Sequence, residues 1–255
     1  MQQLIEGVHR FRHEEFGNYR SLFQRLSSEG QNPHTLFITC ADSRVLAELI
    51  TQSKPGDLFV VKNIGNIVPP SAVTGTTNST AAAIEFAVEN LQVTDIVVCG
   101  HSQCGAMTAL LSDTPPSAVT GSTNSTAAAI EFAIENLKVT DIVVCGHSQC
   151  GAMNALLSDK PLTDRTPHLR DWLTLAAPVR DIIQSQYTHI KDPEDRKNAA
   201  AEENVLFALE NLHSYYCVQD RLMDGSLRLH GWFFKIATAE LFAYNPEARQ
   251  FQPLA

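Results

Sequence analysis

The chain reads as an α/β protein with a mainly parallel sheet of four to five strands, flanked by helices. Three observations predict this. Short apolar runs alternate with helical runs along the chain, as in parallel strands joined by helical crossovers. Polar clusters follow three of the apolar runs, at the strand ends where such sheets bind ligands. One helix–strand–helix stretch also occurs twice in nearly the same letters.

At 255 residues and 44% hydrophobic content the chain can bury a sizeable core, and it is read as a single domain over 1–255. A net charge of -9 argues against nucleic acid or an anionic membrane as partner. No apolar run reaches the ~20 residues that span a bilayer. The first residues lack the basic and apolar regions of a signal peptide, so a reducing cytoplasm is the expected location. In that setting the six cysteines, Cys40, Cys99, Cys104, Cys145, Cys150 and Cys217, point to metal or catalysis more than to disulfides.

In chain order, Leu4, Ile5, Val8, Phe11, Phe16, Leu22, Phe23 and Leu26 mark an N-terminal helical arm over 1–28, broken near Gly17-Asn18. Thr35 to Cys40 is a strand ending in Ala41-Asp42-Ser43-Arg44. A helix over Val45 to Thr51 and a turn at Lys54 to Asp57 lead to a strand at Leu58 to Val61, followed by the loop Asn63 to Asn66. Beyond the repeat, helices are expected at His168 to Ala177, Asp181 to Tyr187 and Ala199 to Leu212. Val205, Leu206, Leu209 and Leu212 form the apolar stripe of the last. Ser226 to Phe234 is a strand, and Ala237 to Tyr244 supplies an edge strand.

Residues 69–113 match 115–159 at a constant offset of 46, with four differences: Thr76/Ser122, Val88/Ile134, Gln92/Lys138 and Thr108/Asn154. Each unit predicts a Thr/Ser/Gly loop, a helix (Ala81 to Leu91, Ala127 to Leu137), a strand (Ile96 to Val98, Ile142 to Val144) and a second helix. Near-identity over 45 residues reads as a tandem duplication. The surplus unit leaves apolar faces to cover, so it is expected to pack on a neighbouring subunit or to be partly disordered.

Each unit carries Cys-Gly-His-Ser-Gln-Cys-Gly-Ala-Met at its strand end. Cys40 with a His and a Cys from one such turn makes a donor set suited to zinc, and three protein ligands leave a fourth position for water. Asp42 is placed to occupy that position or to accept a hydrogen bond there, and Arg44 to hold Asp42 in a bidentate pair. Cys99, Cys145 and Cys217 read as small buried hydrophobes and His230 as a satisfied strand histidine. His9, His13, His34, His168, His189 and His213 read as solvated or capping residues.

The segments Cys40 to Arg44, Gly56 to Asn66, Cys99 to Met107 and Leu229-His230-Gly231-Trp232 together resemble the signatures of the β-class carbonic anhydrases, in that family's order over nearly the whole chain. The resemblance implies one Zn2+ per chain on Cys40, His101 and Cys104. It implies Asp42 and Arg44 as the catalytic dyad and a small substrate pocket lined by Gly105, Phe59 and Ile64. It further implies a homodimer or larger homo-oligomer, with the N-terminal arm crossing to the partner. The expected reaction is reversible hydration of carbon dioxide to bicarbonate and a proton, with zinc hydroxide as nucleophile. The alternatives are carbon disulfide hydrolysis, or a zinc-stabilised scaffold inactivated by the duplication. The family has one such turn, so His147 and Cys150 form an alternative ligand pair. The first copy is favoured because it emerges first and can pair with strands already made.

Overall fold

A computed structural model describes residues 1–69, 78–111, 125–158 and 165–254. The Thr/Ser/Gly loops expected at the head of each repeat unit lie largely outside the described residues. Contacts divide the chain into two compact units where the sequence reading expects one domain. One unit comprises Gln31–Phe132 and Leu162–Thr174, and the other Met1–Gly30, Ala133–Pro161 and Leu175–Ala255.

In the first unit, β1 (Thr35–Cys40) runs between β2 (Leu58–Asn63) and β3 (Asp95–Cys99), all parallel. All six residues of β1, Leu36 to Ile38 with the flanking threonines and Cys40, are buried, as fits a strand bonded on both edges. The register sets Thr35 opposite both Leu58 and Asp95, so the three strands end nearly level. Leu36, Ile38 and Ala87 form the core, with Phe59, Val61, Ile84 and Val93 against it. Two short helices, α3 (Ala47–Thr51) and α4 (Ser79–Glu85), follow β1 and β2. Asn78 caps α4, its side chain accepting from the Thr80 and Ala81 amides at 2.9 and 3.1 Å. A π turn, Phe86–Asn90, continues that helix. α5 (Gly105–Leu110) starts from the end of β3.

In the second unit, α1 (Gln2–Arg10) joins α2 (Phe16–Glu29) through a π turn at Phe11–Glu15. The break thus precedes Gly17. The turn lets Phe11, Phe16 and Phe23 meet with ring centroids 5.7–6.2 Å apart, and Gly17 is carried within the helix. α6 (Ser125–Glu135) spans the sequence division between the units. The sheet has β4 (Asp141–His147) parallel to β5 (Arg228–Lys235), then antiparallel β6 (Glu240–Asn245) and β7 (Gln250–Pro253). In chain order the helices here are α7 (Gly151–Leu157), then α9 (Ala177–Gln186), α10 (Pro193–Leu212) and α11 (Tyr216–Met223), while α8 (Pro167–Thr174) belongs to the first unit. Val205 of α10 lies on the β4–β5 pair, where a Cβ at Gly146 or Gly231 would meet its methyls at 2.8 and 3.0 Å. Those two glycines admit the helix to the sheet.

The class is as expected, with the strands among the described residues distributed over two sheets of three and four rather than one of four to five. The repeat accounts for the difference, since it supplies the strand beside β1 and the strand beside β5 separately. The sequence reading passed over α11 and β7. Tyr216 and Met223 are 83% and 80% exposed, so α11 carries apolar residues on its wet side and shows no clean stripe. Cys99 and Cys217 are half-buried and Cys145 is exposed, where buried thiols were expected. Cys99 and Cys145 each stand on a strand bonded along one edge only among the described residues, which leaves part of the strand uncovered.

Asp141 joins β4 to β5. Its Oδ1 accepts from Arg228 Nε and His230 Nε2, both at 2.9 Å, and the hydrogen bonds from Arg228 and then His230 hold its carboxyl well below the usual range. A carboxylate more acidic when folded contributes stability above its unfolded pKa of about 4 and loses it as pH falls toward the folded value. Asp141→Asn should therefore lower the urea midpoint near neutral pH, with the gap to the parent closing below about pH 4.

Candidate metal centre

The parallel register brings three loops to one end of the β2–β1–β3 sheet. Cys40, the last residue of β1, is paired with Asn63, and Thr39 is paired with Cys99. Two bonds fasten the neighbours at this end: Thr39 Oγ1 donates to the Cys99 carbonyl at 3.1 Å, and the Ala41 amide to the Asn63 carbonyl at 2.8 Å. The chain leaving β3 turns through His101 to Gln103, and Cys104 precedes α5. Gln103 takes a left-handed φ of 55°, which turns the chain back so that His101 and Cys104 face Cys40.

The ligand atoms of Cys40, His101 and Cys104 all lie within 4.8 Å of one another. The two sulfurs are 3.9 Å apart and both cysteines are buried. His101 Nδ1 is 2.9 Å from the Ser102 carbonyl oxygen, to which only a protonated Nδ1 can donate. Nε2 then carries the lone pair, and it is buried with no hydrogen-bond partner among the described residues. Two thiols and an imidazole nitrogen left open toward them are the soft donor set of zinc, with the second hydrogen bond that orients a metal-binding histidine.

Beside the cluster, Asp42 is clasped by Arg44. Oδ1 accepts from Arg44 Nε and from its backbone amide, each at 2.9 Å, and Oδ2 accepts from an Arg44 terminal nitrogen at 2.7 Å. The side-chain bonds and then the amide bond from Arg44 hold the Asp42 carboxyl well below the usual carboxylate range. Asp42 Oδ2 is 3.9 Å from His101 Nε2, so the carboxylate borders the cluster while bonded to Arg44. Arg44 also donates to the Gln103 side chain and carbonyl, both at 3.3 Å. Gln103 thus ties the loop after β1 to the turn after β3. The sequence reading missed it, because a glutamine between two chemically marked residues gives no periodic or compositional signal.

The other named residues are placed as follows. Gly105 opens α5, with no atom within 4 Å of where a Cβ would stand. Ile64 opens a 3-10 turn (Ile64–Asn66) and is half-buried. Phe59 is paired with Leu36 and lies level with it, about 13 Å back along the sheet from Cys40. Its ring packs on Phe86 at 5.8 Å, so it serves the core beneath the cluster. Buried Asn63 pins the Ile64 turn, accepting from the Ile67 amide at 3.0 Å and donating to the Ile67 carbonyl at 2.8 Å.

His147 and Cys150 repeat the turn in the second unit, including the bond from His147 Nδ1 to the Ser148 carbonyl at 2.8 Å and the left-handed residue, Gln149. Among the described residues no third His, Cys, Asp or Glu joins them. The neighbouring Cys150 raises the imidazole pKa instead. Burial pushes the Cys150 thiol up, but bonds from His147 and the Met153 and Ala152 amides outweigh it and leave the thiol below its ordinary value. His230 is satisfied by Asp141, as expected.

Against known proteins, the carbonic anhydrase family model matches residues 35–125 and 117–241. A carbonic anhydrase of Synechocystis is 36% identical over 98% of this chain and 73% of its own length. One from Pseudomonas aeruginosa is 34% identical over 100% and 92%. Carbonic anhydrase 1 of Escherichia coli O157:H7 is 34% identical over 100% and 93%. The solved β-carbonic anhydrase CcaA is 36% identical over 99% of this chain and 91% of its own, at a TM-score of 0.49.

Gly65 is the tightest point near the cluster: at φ 76°, a Cβ there would come within 3.0 Å of Ala106 in α5. Gly65→Ala should destabilise the fold by about 1–3 kcal/mol and displace the start of α5 that follows Cys104. Thermal denaturation, together with metal content after dialysis, checks both expectations.

Proposed function

The chain belongs to the β-class carbonic anhydrase family, and on that premise we propose that Cys40, His101 and Cys104 hold one zinc ion and that the protein reversibly hydrates carbon dioxide to bicarbonate and a proton. One observation carries the reading. Two buried thiols meet a buried, unbonded imidazole nitrogen beside a carboxylate already fixed on an arginine. When bound, zinc supplies the Lewis acidity that brings a water's pKa down to about 7.

The chain's own residues supply the rest. The Ser102 carbonyl holds the His101 tautomer, so that Nε2 is free to ligate. Asp42 is a pure acceptor and orients a water hydrogen at the edge of the cluster. Arg44 keeps that carboxylate ionised at the edge of the cluster, and Gln103 holds Arg44 in place. Gly105 and Ile64 offer the uncrowded, apolar wall that a small non-polar substrate needs. The relatives named carbonic anhydrase favour carbon dioxide over carbon disulfide.

In this reading 1–255 is one family domain with a tandem duplication, and the first copy supplies the ligands. The two overlapping family-model matches support the duplication, and the Cys40–His101–Cys104 cluster supports the first copy. A homodimer or larger assembly is also part of the proposal, supported by α1, which buries none of its residues and leaves Leu4 59% exposed. Six free thiols accord with a cytoplasmic location. No described helix is long and apolar enough to cross a membrane.

Zinc content and stopped-flow carbon dioxide hydration test the assignment. His101→Ala should lose stoichiometric zinc and more than about 100-fold of the rate, since losing even an outer hydrogen-bond partner costs about 10- to 100-fold. His147→Ala should retain both within about twofold. The reverse pattern assigns the centre to the second copy, and a zinc-loaded parent with only the background rate refutes the activity.

A further inference from the structure

β3 and β4 begin with the same pentapeptide, Asp-Ile-Val-Val-Cys, and the two copies use opposite edges of it. In β3 the Asp95 amide donates to the His34 carbonyl at 3.2 Å, so residues 95, 97 and 99 face β1. In β4 the Thr140 carbonyl accepts from the Arg228 amide, and the Ser148 amide donates to the Phe234 carbonyl, each at 3.0 Å. Residues 140, 142 and 144 therefore face β5. The offset of 46 preserves odd and even positions, so the edge bonded in one copy is the open edge of the other. Among the described residues each copy is bonded along one edge only.

The surroundings differ in the same sense. Ile96, Val97 and Val98 of β3 are 50%, 38% and 51% exposed, whereas Ile142 to Val144 are half-buried. Gly146 lies against Val205 and Ala201 of α10, with 2.8 and 3.0 Å to a Cβ. Its counterpart Gly100 meets nothing nearer than Asn66 at 3.7 Å. Thr94 sets the Asp95 carboxylate at 2.7 Å, as Thr140 sets Asp141 at 2.9 Å, yet Asp95 faces solvent where Asp141 takes Arg228 and His230. Among the described residues β3 thus lacks the strand, the helix and the cations that the same sequence binds elsewhere.

We infer that the open edge of β3 is a seat for β5, with its covering helix α10, of a second copy of this chain. In the register of β4 and β5, Asp95 would meet Arg228, Ile96 Leu229, Val97 His230, Val98 Gly231 and Cys99 Trp232. Reciprocal exchange between two chains replaces each β4–β5 ladder with a β3–β5 ladder of the same residues, and each Asp141 ion pair with one to Asp95. Ladders and ion pairs are conserved, which is the condition for a low-cost swapped dimer. An open apolar parallel edge is also the feature that recruits such a strand.

The test refolds full-length chain carrying p-benzoylphenylalanine at position 96 together with an equal amount of 15N-labelled parent. After irradiation, peptides attached to position 96 are identified by mass. The expected result is capture of residues 228–235 in both heavy and light forms. Capture of the light form alone places the chain's own β5 there and overturns the proposal, as does capture of no β5 peptide. Independently, Asp95→Lys should lower the yield of heavy residues 228–235 captured at position 96 severalfold, and Asp141→Lys should raise it by weakening the competing seat. Movement in the same direction, or none, also overturns the proposal.

Discussion

Strand β1 presents six consecutive buried residues with a parallel neighbour on each edge, and the metal centre depends on that arrangement. A strand so enclosed is built mostly from apolar residues, with its buried threonine hydroxyl bonded, so the chemistry of the site gathers at its end. Pairing Cys40 with Asn63 and Thr39 with Cys99 leaves the three following loops no choice but to meet. A slip of one residue in either register would turn Cys40 to the other face of the sheet and remove a sulfur from the cluster.

Two thiols and an imidazole in close contact are a poor way to fill buried space unless a cation repays their desolvation. Beside them Asp42 is kept charged by three bonds from one arginine. Because Arg44 also reaches Gln103, the same side chain fixes the carboxylate and the turn bearing His101 and Cys104. Changes at Arg44 therefore act on ligand geometry as well as on charge.

Much of this was legible beforehand. Thr35 to Cys40 read as a strand because its apolar letters are continuous and β-rich, and Cys40, Asp42 and Arg44 stood out as one chemical cluster at its end. His230 read as satisfied, and Asp141 satisfies it. Other features had no local signature. Phe59 reads as a pocket residue, and its place level with Leu36 comes from a strand register that no local pattern announces. The role of Gln103 depends on Arg44, 59 residues away, and no pattern within a single segment reports that. The break in the N-terminal arm was misplaced because glycine is a weaker helix breaker than the demand of three phenylalanine rings to meet.

The repeat separates what a sequence encodes locally from what its neighbours decide. Both Cys-Gly-His-Ser-Gln-Cys turns fold alike, down to the histidine's bond to the next carbonyl and the left-handed glutamine. Their helices do not pack alike. Ala87 is fully buried in the first copy and Val88 exposed, whereas Ile134, the counterpart of Val88, is fully buried in the second. The chemistry diverges with the packing. Beside Cys40 the imidazole nitrogen is left open toward two sulfurs, and without Cys40 the second imidazole has only Cys150 as a neighbouring donor among the described residues. A His-x-x-Cys turn is thus only half a metal site. The other half is the strand that tertiary structure sets beside it, and an identical turn paired with β5 instead gathers no third ligand among the described residues.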